Sequence, residues 1–373
     1  LVNAADGYHL WSERYDRELQ DIFDIQDEIS LAIVGALKVK LLGEEKAAVL
    51  KRYTENTEAY ELYLRGRFHY SKWTEEGMKR AIEFFKQASS IEPRFAPAYA
   101  GLANAYVFLL FYGFTSHAES LPLIQTAAAK AVEIDANLAE SQFAMTRMKV
   151  FYEWDWQGAD RGFRRTLAIN PNHAEAHEQY ANYLVVMGRA SEAIAIGRRA
   201  LELDPLSLNA NLNVGFVFWA AGRSDLLREQ GEKLIESSPN FFGGHWQIGV
   251  ERWAAGQYDQ AIAALETSVA CGAAPMVLAY LGYLYGLVGR RDKAQKALDQ
   301  FQEFSAQHHL LPFEMAMVNA GLGEMDRAFE LLETAYEQRA GILIWLKYIA
   351  AIMPGFRDEP RLAPLLQRIG LPA

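Results

Sequence analysis

In the stretch "INPNHAEAHEQYANYLVVMGRASEAIAIGRRALELDP", ending at Pro205, apolar positions recur with helical spacing in two separate blocks. Tyr180, Ala181 and Leu184 share one face of the first block. Ala193, Ile196, Gly197 and Ala200 share one face of the second. This spacing predicts two amphipathic helices. "MGR" at 187–189 interrupts the pattern, as glycine does just beyond a helix C-terminus, and "DP" at 204–205 closes the second helix. The small inward residues suit helices that cross closely, where a larger side chain would push the pair apart.

The pattern repeats. Pro171, Pro205 and Pro239 are each 34 residues apart. Gly188, Gly222, Gly256, Gly289 and Gly323 keep the same step within one residue, and Ala193, Ala261, Ala294 and Ala328 follow them. A fixed period of this length predicts a solenoid of stacked helix pairs rather than a globular enzyme fold. Eight units are expected, at 57–93, 94–136, 137–171, 172–205, 206–239, 240–273, 274–307 and 308–340. Unit two carries extra residues between its helices, "LLFYGFTSHAESLPL", and unit three carries "EWDWQGAD" there. Units five and six fit least well, because Leu227 and Leu234 stand where small residues belong.

These residues resemble the tetratricopeptide repeat family. "AYAGLANAY" places Tyr99, Leu102, Ala103 and Tyr106 at the family's first-helix positions, and "AIEFFKQASSIEP" places Ala81, Phe85, Ala88 and Pro93 at those of the second. The resemblance covers about three quarters of the chain. It implies an all-α, right-handed superhelical solenoid over 57–340, with 341–373 as a C-terminal capping segment.

The N-terminal stretch differs. "LVNAADGYHLWSERYD" reads as strand, turn, strand, with Asp6–Gly7 at the turn. "DIFDIQDEISLAIVGALKVKLL" reads as a helix with Asp24 and Asp27 near its N-cap and a stripe of Ile25, Ile29, Ile33, Ala36 and Leu37. A lone hairpin is marginal in water, so it should pair with another chain or belong to a larger sheet. "GYHLWSERYDRELQDIFDIQDEIS" resembles the end of the TolB-like domain found upstream of tetratricopeptide arrays in bacterial signalling proteins. The resemblance implies that residues 1–45 are the α/β remnant of that domain and 46–56 a linker. It also implies an output domain upstream: a Ser/Thr kinase, a class III nucleotide cyclase or a winged-helix regulator. A cytoplasmic location follows, with the periplasm left open by whatever precedes Leu1.

Composition narrows the partners. With a net charge of −10 and no basic run, the chain is a poor binder of nucleic acid. Its longest apolar stretches, "VFLLFYGF" and "GILIWL", are far short of the roughly 18–20 residues of a membrane span. The single cysteine, Cys271, excludes an internal disulfide and a cysteine-based metal site. "HAEAH" sets His173 and His177 one helical turn apart, but no third ligand accompanies them and His177 stands at a packing position. No phosphate loop, GxSxG or kinase catalytic loop occurs. No catalytic residue, metal or cofactor is therefore expected.

In the tetratricopeptide family the first helices line a concave groove that holds a peptide or helix. Mapped here, the early units offer Asn104, Val107, Arg147, Phe151, Glu178 and Asn182. The later units offer Leu212, Phe216, Trp219, Trp246, Val250, Trp253, Tyr283, Leu287, Phe313 and Met317. The basic clamp of chaperone-binding members is not reproduced, since Glu178 stands where a lysine is needed. Two readings compete. The aromatics form an apolar docking groove, or they are covered by neighbouring helices or by the chain's own tail; helical aromatic stripes are more often core. The tail "AGILIWLKYIAAIMPGF" has the apolar density to cover them. Deleting it should then raise partner affinity. The function expected is a non-catalytic protein-interaction arm. The alternatives are an oligomerisation module, including a homodimer through the N-terminal segment, and the regulatory region of an upstream enzyme.

Overall fold

A computed structural model describes residues 12, 22–36, 53–273, 275–307, 309 and 311–372. The expected hairpin over 1–16, its homodimer contact and most of the linker lie outside them. Among the described residues there is no strand. Helix α1 (Ile22–Ala36) begins before Asp24, so Asp24 sits in its first turn and does not cap it. There its charge faces the positive end of the helix dipole. Phe23 packs on Tyr60 with ring centroids 5.1 Å apart, and Gln26 Nε2 donates to the Tyr60 hydroxyl. The helix thus caps the first repeat.

Eight helix pairs follow: α2 (Thr57–Tyr70) with α3 (Glu75–Ile91), α4 (Ala96–Phe111) with α5 (His117–Ile134), α6 (Ala139–Met148) with α7 (Trp156–Ile169), α8 (Ala174–Val186) with α9 (Ala190–Leu203), α10 (Leu208–Ala220) with α11 (Ser224–Ser237), α12 (Phe242–Ala254) with α13 (Tyr258–Ala270), α14 (Pro275–Leu287) with α15 (Arg291–Gln307), and α16 (Pro312–Gly321) with α17 (Met325–Glu337). They stack as a tetratricopeptide solenoid. The periodic glycines from Gly188 to Gly323 all have positive φ, between 70° and 84°. At Gly188 the carbonyls of the last turn are closed by Gly188 N to Val185 O and Arg189 N to Leu184 O, the pairing that ends helices at a left-handed residue. Two units turn on a tryptophan instead, with φ of 51° at Trp73 and 54° at Trp154.

The departures from the period have local causes. The extra residues of unit two lengthen both of its helices and the turn between them. α4 runs to Phe111, and Ser116 and Glu119 form a capping box that starts α5 at His117. In unit three the insertion is absorbed by a π-helical turn, Lys149–Glu153, before Trp154 reverses the chain. In units five and six Leu227 and Leu234 are buried, and close approach passes to glycine. A Cβ on Gly231 would meet the Gly244 carbonyl at 3.2 Å, and one on Gly244 would meet the Gly231 carbonyl at 3.0 Å. His173 and His177 both hold backbone: His173 caps α8 at Ala176 N, and His177 Nε2 lies 2.8 Å from the Pro171 carbonyl.

The superhelix closes on itself. His309 N donates to the Gly113 carbonyl at 3.2 Å, His309 pairs with Glu119 at 3.2 Å, and Leu311 fills the space beside Gly113. The chain after α17 then folds into the interior as a 3₁₀ turn (Gly341–Trp345), α18 (Leu346–Ala351), α19 (Pro354–Arg357) and α20 (Leu362–Ile369). Its apolar residues Ile342–Leu346, Ile349, Met353, Phe356, Leu365 and Ile369 are all buried. Trp345 packs on Phe216 at 5.3 Å. The Tyr348 hydroxyl donates to the Val185 carbonyl, and Trp156 Nε1 donates to the Ile369 carbonyl at 3.1 Å. The tail is part of the core.

Candidate functional site: an open cavity beside the covered groove

The first helices present their inner faces to the tail and to one another. Trp246 packs on Phe216 at 4.2 Å. Trp253 lies 5.3 Å from Tyr283 and 5.4 Å from Tyr280, both on the first helix of the next unit. Trp246, Val250, Trp253, Tyr283, Phe313 and Met317 are fully buried; Trp219 and Phe216 are nearly so, and Leu287 is half-buried at the end of α14. Phe216, Trp246 and Trp345 border a small recess of about 70 Å³. These aromatic positions are covered as the chain stands, Phe216 by Trp345 of the tail and Trp253 by the neighbouring first helix, so a partner reaches them only if this packing opens.

Beside the covered wall lies a cavity of about 1090 Å³. The ends of α2 and α4 supply Tyr70, Trp73, Phe108, Tyr112 and Phe114 on one side. The starts of α8, α10 and α12 supply Glu175, Glu178, Asn209, Leu212, Phe241 and Phe242 on the other. It is at the upper end of the size of ligand sites, and its lining mixes aromatic and apolar faces with charged and polar side chains. Leu206 at its rim is 88% exposed, and Leu208 beside it is also exposed. Trp73 stands in the wall with its backbone left-handed, held by Phe108 at 5.4 Å and Tyr70 at 5.9 Å.

The polar wall is a network across four first helices. Arg147 Nη1 donates to Asn104 Oδ1 at 3.1 Å and to the Tyr70 hydroxyl at 3.3 Å. The Tyr70 hydroxyl donates to Glu175 Oε1 at 3.1 Å, and Arg147 lies 3.7 Å from the same oxygen. Arg147 is thereby committed to neighbours. Glu178 is 2% exposed and takes only neutral amide donors: Gln179 Nε2 at 2.8 Å, and Asn209 Nδ2 at 3.2 and 3.1 Å from its two oxygens. Burial, reinforced by Glu175, pushes its carboxyl up to about 8. Asn182 donates to the Glu178 carbonyl, and its Oδ1 is buried with no protein partner among the described residues. Asn182 and Arg147 border a second recess, of about 60 Å³, which shares Trp73, Phe108 and Tyr112 with the main cavity.

Of the sequence-derived positions, Glu178 and Leu212 border the main cavity, Arg147, Asn182 and Phe151 the recess of about 60 Å³, and Phe216 and Trp246 that of about 70 Å³. Sequence reasoning missed Tyr70, Trp73, Glu175, Asn209 and Phe241–Phe242. One signal was present: a tryptophan standing where the period calls for glycine.

No protein-family model matches the chain. Over 103 residues it is 37% identical to "Putative adenylate cyclase 3" of Rhizobium meliloti (strain 1021), a match covering 28% of this chain and 18% of that protein. The chain thus spans about a fifth of that relative. Among solved structures, yeast Tom70 superposes with a TM-score of 0.52 at 15% identity, over 85% of this chain and 69% of that one. A tetratricopeptide repeat protein from Parabacteroides merdae ATCC 43184 gives 0.47 at 16%, over 72% and 100%. At 15% identity the likeness to Tom70 is one of fold: a tetratricopeptide array.

Proposed function

We propose that the chain is a non-catalytic docking arm of a bacterial signalling protein, and that it takes a peptide or helical segment of a partner in the cavity beside Trp73. The observation that carries this reading is the cavity itself. It spans first helices from several units and has an exposed apolar rim at Leu206 and Leu208, with a buried polar wall behind it. Arg147, Asn182 and Leu212 are the proposed contacts within reach. Phe216, Trp219, Trp246, Val250, Trp253, Tyr283, Leu287, Phe313 and Met317 form a second proposed surface, engaged only when their packing opens. The partial likeness to a putative adenylate cyclase favours a related reading, in which the array regulates an upstream output domain of that kind. Residues 1–45 are then the end of a coupling domain, and docking shifts how the output domain is held.

The test is site-specific photo-crosslinking in cells. A benzoylphenylalanine replaces Leu206 at the cavity rim, and in a control replaces Lys233 on the outer helix α11. The proposal expects a discrete crosslinked partner, or an upstream domain of the same protein, from position 206 alone. Equal and diffuse crosslinking from both positions would refute it.

A further inference from the structure

We infer that the cavity recognises a segment presenting one basic side chain between large apolar ones, with the ammonium or guanidinium seated on Glu178. The inference rests on the docking reading above and adds the chemistry of the occupant.

Charge is the first argument. The residues bordering the cavity include Glu140, Glu175, Glu178 and Asp204, against Arg67 and Lys72. The other cation nearby, Arg147, is bound to Asn104, Tyr70 and Glu175. The helix starts that face the cavity favour anions in general, which opposes this reading. Two of them already spend a first-turn amide on their own caps, however: Ala176 N on His173 and Ala210 N on Ser207. A buried carboxyl without a cationic partner becomes a full negative charge once an incoming cation displaces its proton, and that charge outweighs such a partial charge at close range.

Donor and acceptor counts are the second argument. A carboxylate has about four lone-pair sites, and Glu178 fills them only in part, from two neutral amides. One helical turn away, bordering the smaller recess rather than the cavity itself, Asn182 Oδ1 is a further buried acceptor with no hydrogen-bond partner among the described residues. The free acceptor capacity of the Glu178 carboxylate suits a head with several N–H donors. Trp73, Phe108 and Tyr112 supply aromatic faces for a cation and its alkyl stem. The exposed Leu206 and Leu208, with Phe241 and Phe242, offer apolar contact on either side.

A cation on Glu178 would also drive off its proton. Glu175 on its own helix, Arg147 from α6 and Tyr112 from α4 interact with it electrostatically, and Tyr70, Arg67, Lys72, Glu75, Glu140, His173 and Asp204 also border the cavity.

The experiment is selection of the whole chain against a resin-bound library of random heptapeptides at pH 7, repeated with Glu178→Gln. The wild type should enrich lysine or arginine flanked by large apolar residues. Replacing that basic residue by norleucine in a selected peptide should weaken binding roughly tenfold or more. Glu178→Gln should abolish the basic preference and keep the apolar one. Calorimetry of the selected peptide in two buffers of different ionisation enthalpy should show proton release. Enrichment of acidic or purely apolar peptides by the wild type would overturn this inference and leave the docking reading standing. No enrichment at all would overturn both. The wild-type selection decides the matter even if the variant folds poorly, and a folded variant that keeps the basic preference also overturns it.

Discussion

Replacing Trp345 by alanine is expected to loosen the whole molecule rather than one repeat. The indole is 6% exposed, lies 5.3 Å from Phe216, and borders the recesses of about 70 and 60 Å³ on its two sides. Removing it joins both recesses into one void. The flanking first helices are held by their own neighbours and cannot close in to fill it. Large-to-alanine changes at aromatic core positions cost about 3–5 kcal/mol, more where the site cannot collapse, so the upper half of that range is expected. A linear repeat array is stabilised by nearest neighbours alone and unfolds piecemeal. Here the tail adds long-range ties, from Arg339 to the Glu153 carbonyl, Tyr348 to the Val185 carbonyl and Trp156 to the Ile369 carbonyl. Trp345→Ala should therefore lower both the urea midpoint and the steepness of the transition read by circular dichroism. A loss below about 1 kcal/mol with unchanged steepness would refute the reasoning, since even modest core truncations exceed it. The same burial reverses the expectation that deleting 341–373 simply frees the groove. Truncation removes core, and the C-terminal repeats should lose protection in hydrogen exchange.

Further outcomes follow from single positions. A Cβ on Gly286 would fall on the backbone of Gly321, where α14 and α16 touch. Gly286→Ala should cost about 1–3 kcal/mol or more, because backbone cannot step aside, and a neutral thermal melt would sink the idea. Burial pushes the Glu314 carboxyl up to about 7. The native state then holds a proton that the unfolded state has released, so stability falls as pH rises from about 4.5 to about 7. Glu314→Gln should remove a penalty on the order of 3 kcal/mol at pH 8 and change little near pH 4, and urea midpoints at the two pH values check this. Trp73→Gly should relieve about 1 kcal/mol of left-handed backbone strain while stripping a wall of the cavity. Lost packing on Phe108 and Tyr70 outweighs that relief, so a lower thermal midpoint in a protein that still folds, with lost peptide binding, is expected, and intact binding would refute the assigned role of Trp73.

The helix pairs, their boundaries at the periodic glycines and the tight crossings at Ala193, Ala261, Ala294 and Ala328 were legible in the sequence. Each is a local or nearest-neighbour requirement: a left-handed turn wants glycine, and a close crossing wants a small side chain. The lesson fails where one unit meets a distant one. The path of the tail was open to the sequence as one covering among several, because apolar density says that a segment will be buried but not against what. The closure of the superhelix at Gly113 and His309 depends on small rotations summed over many units. Gly286 resembles any other helix glycine until Gly321 is brought against it. Glu178 read as one groove position among several and as a failed clamp residue. Its burial beside Asn209 and Glu175, and so its standing as an acceptor without a cation, exists only once neighbouring units are stacked, since desolvation is a property of the assembled surroundings and not of the residue.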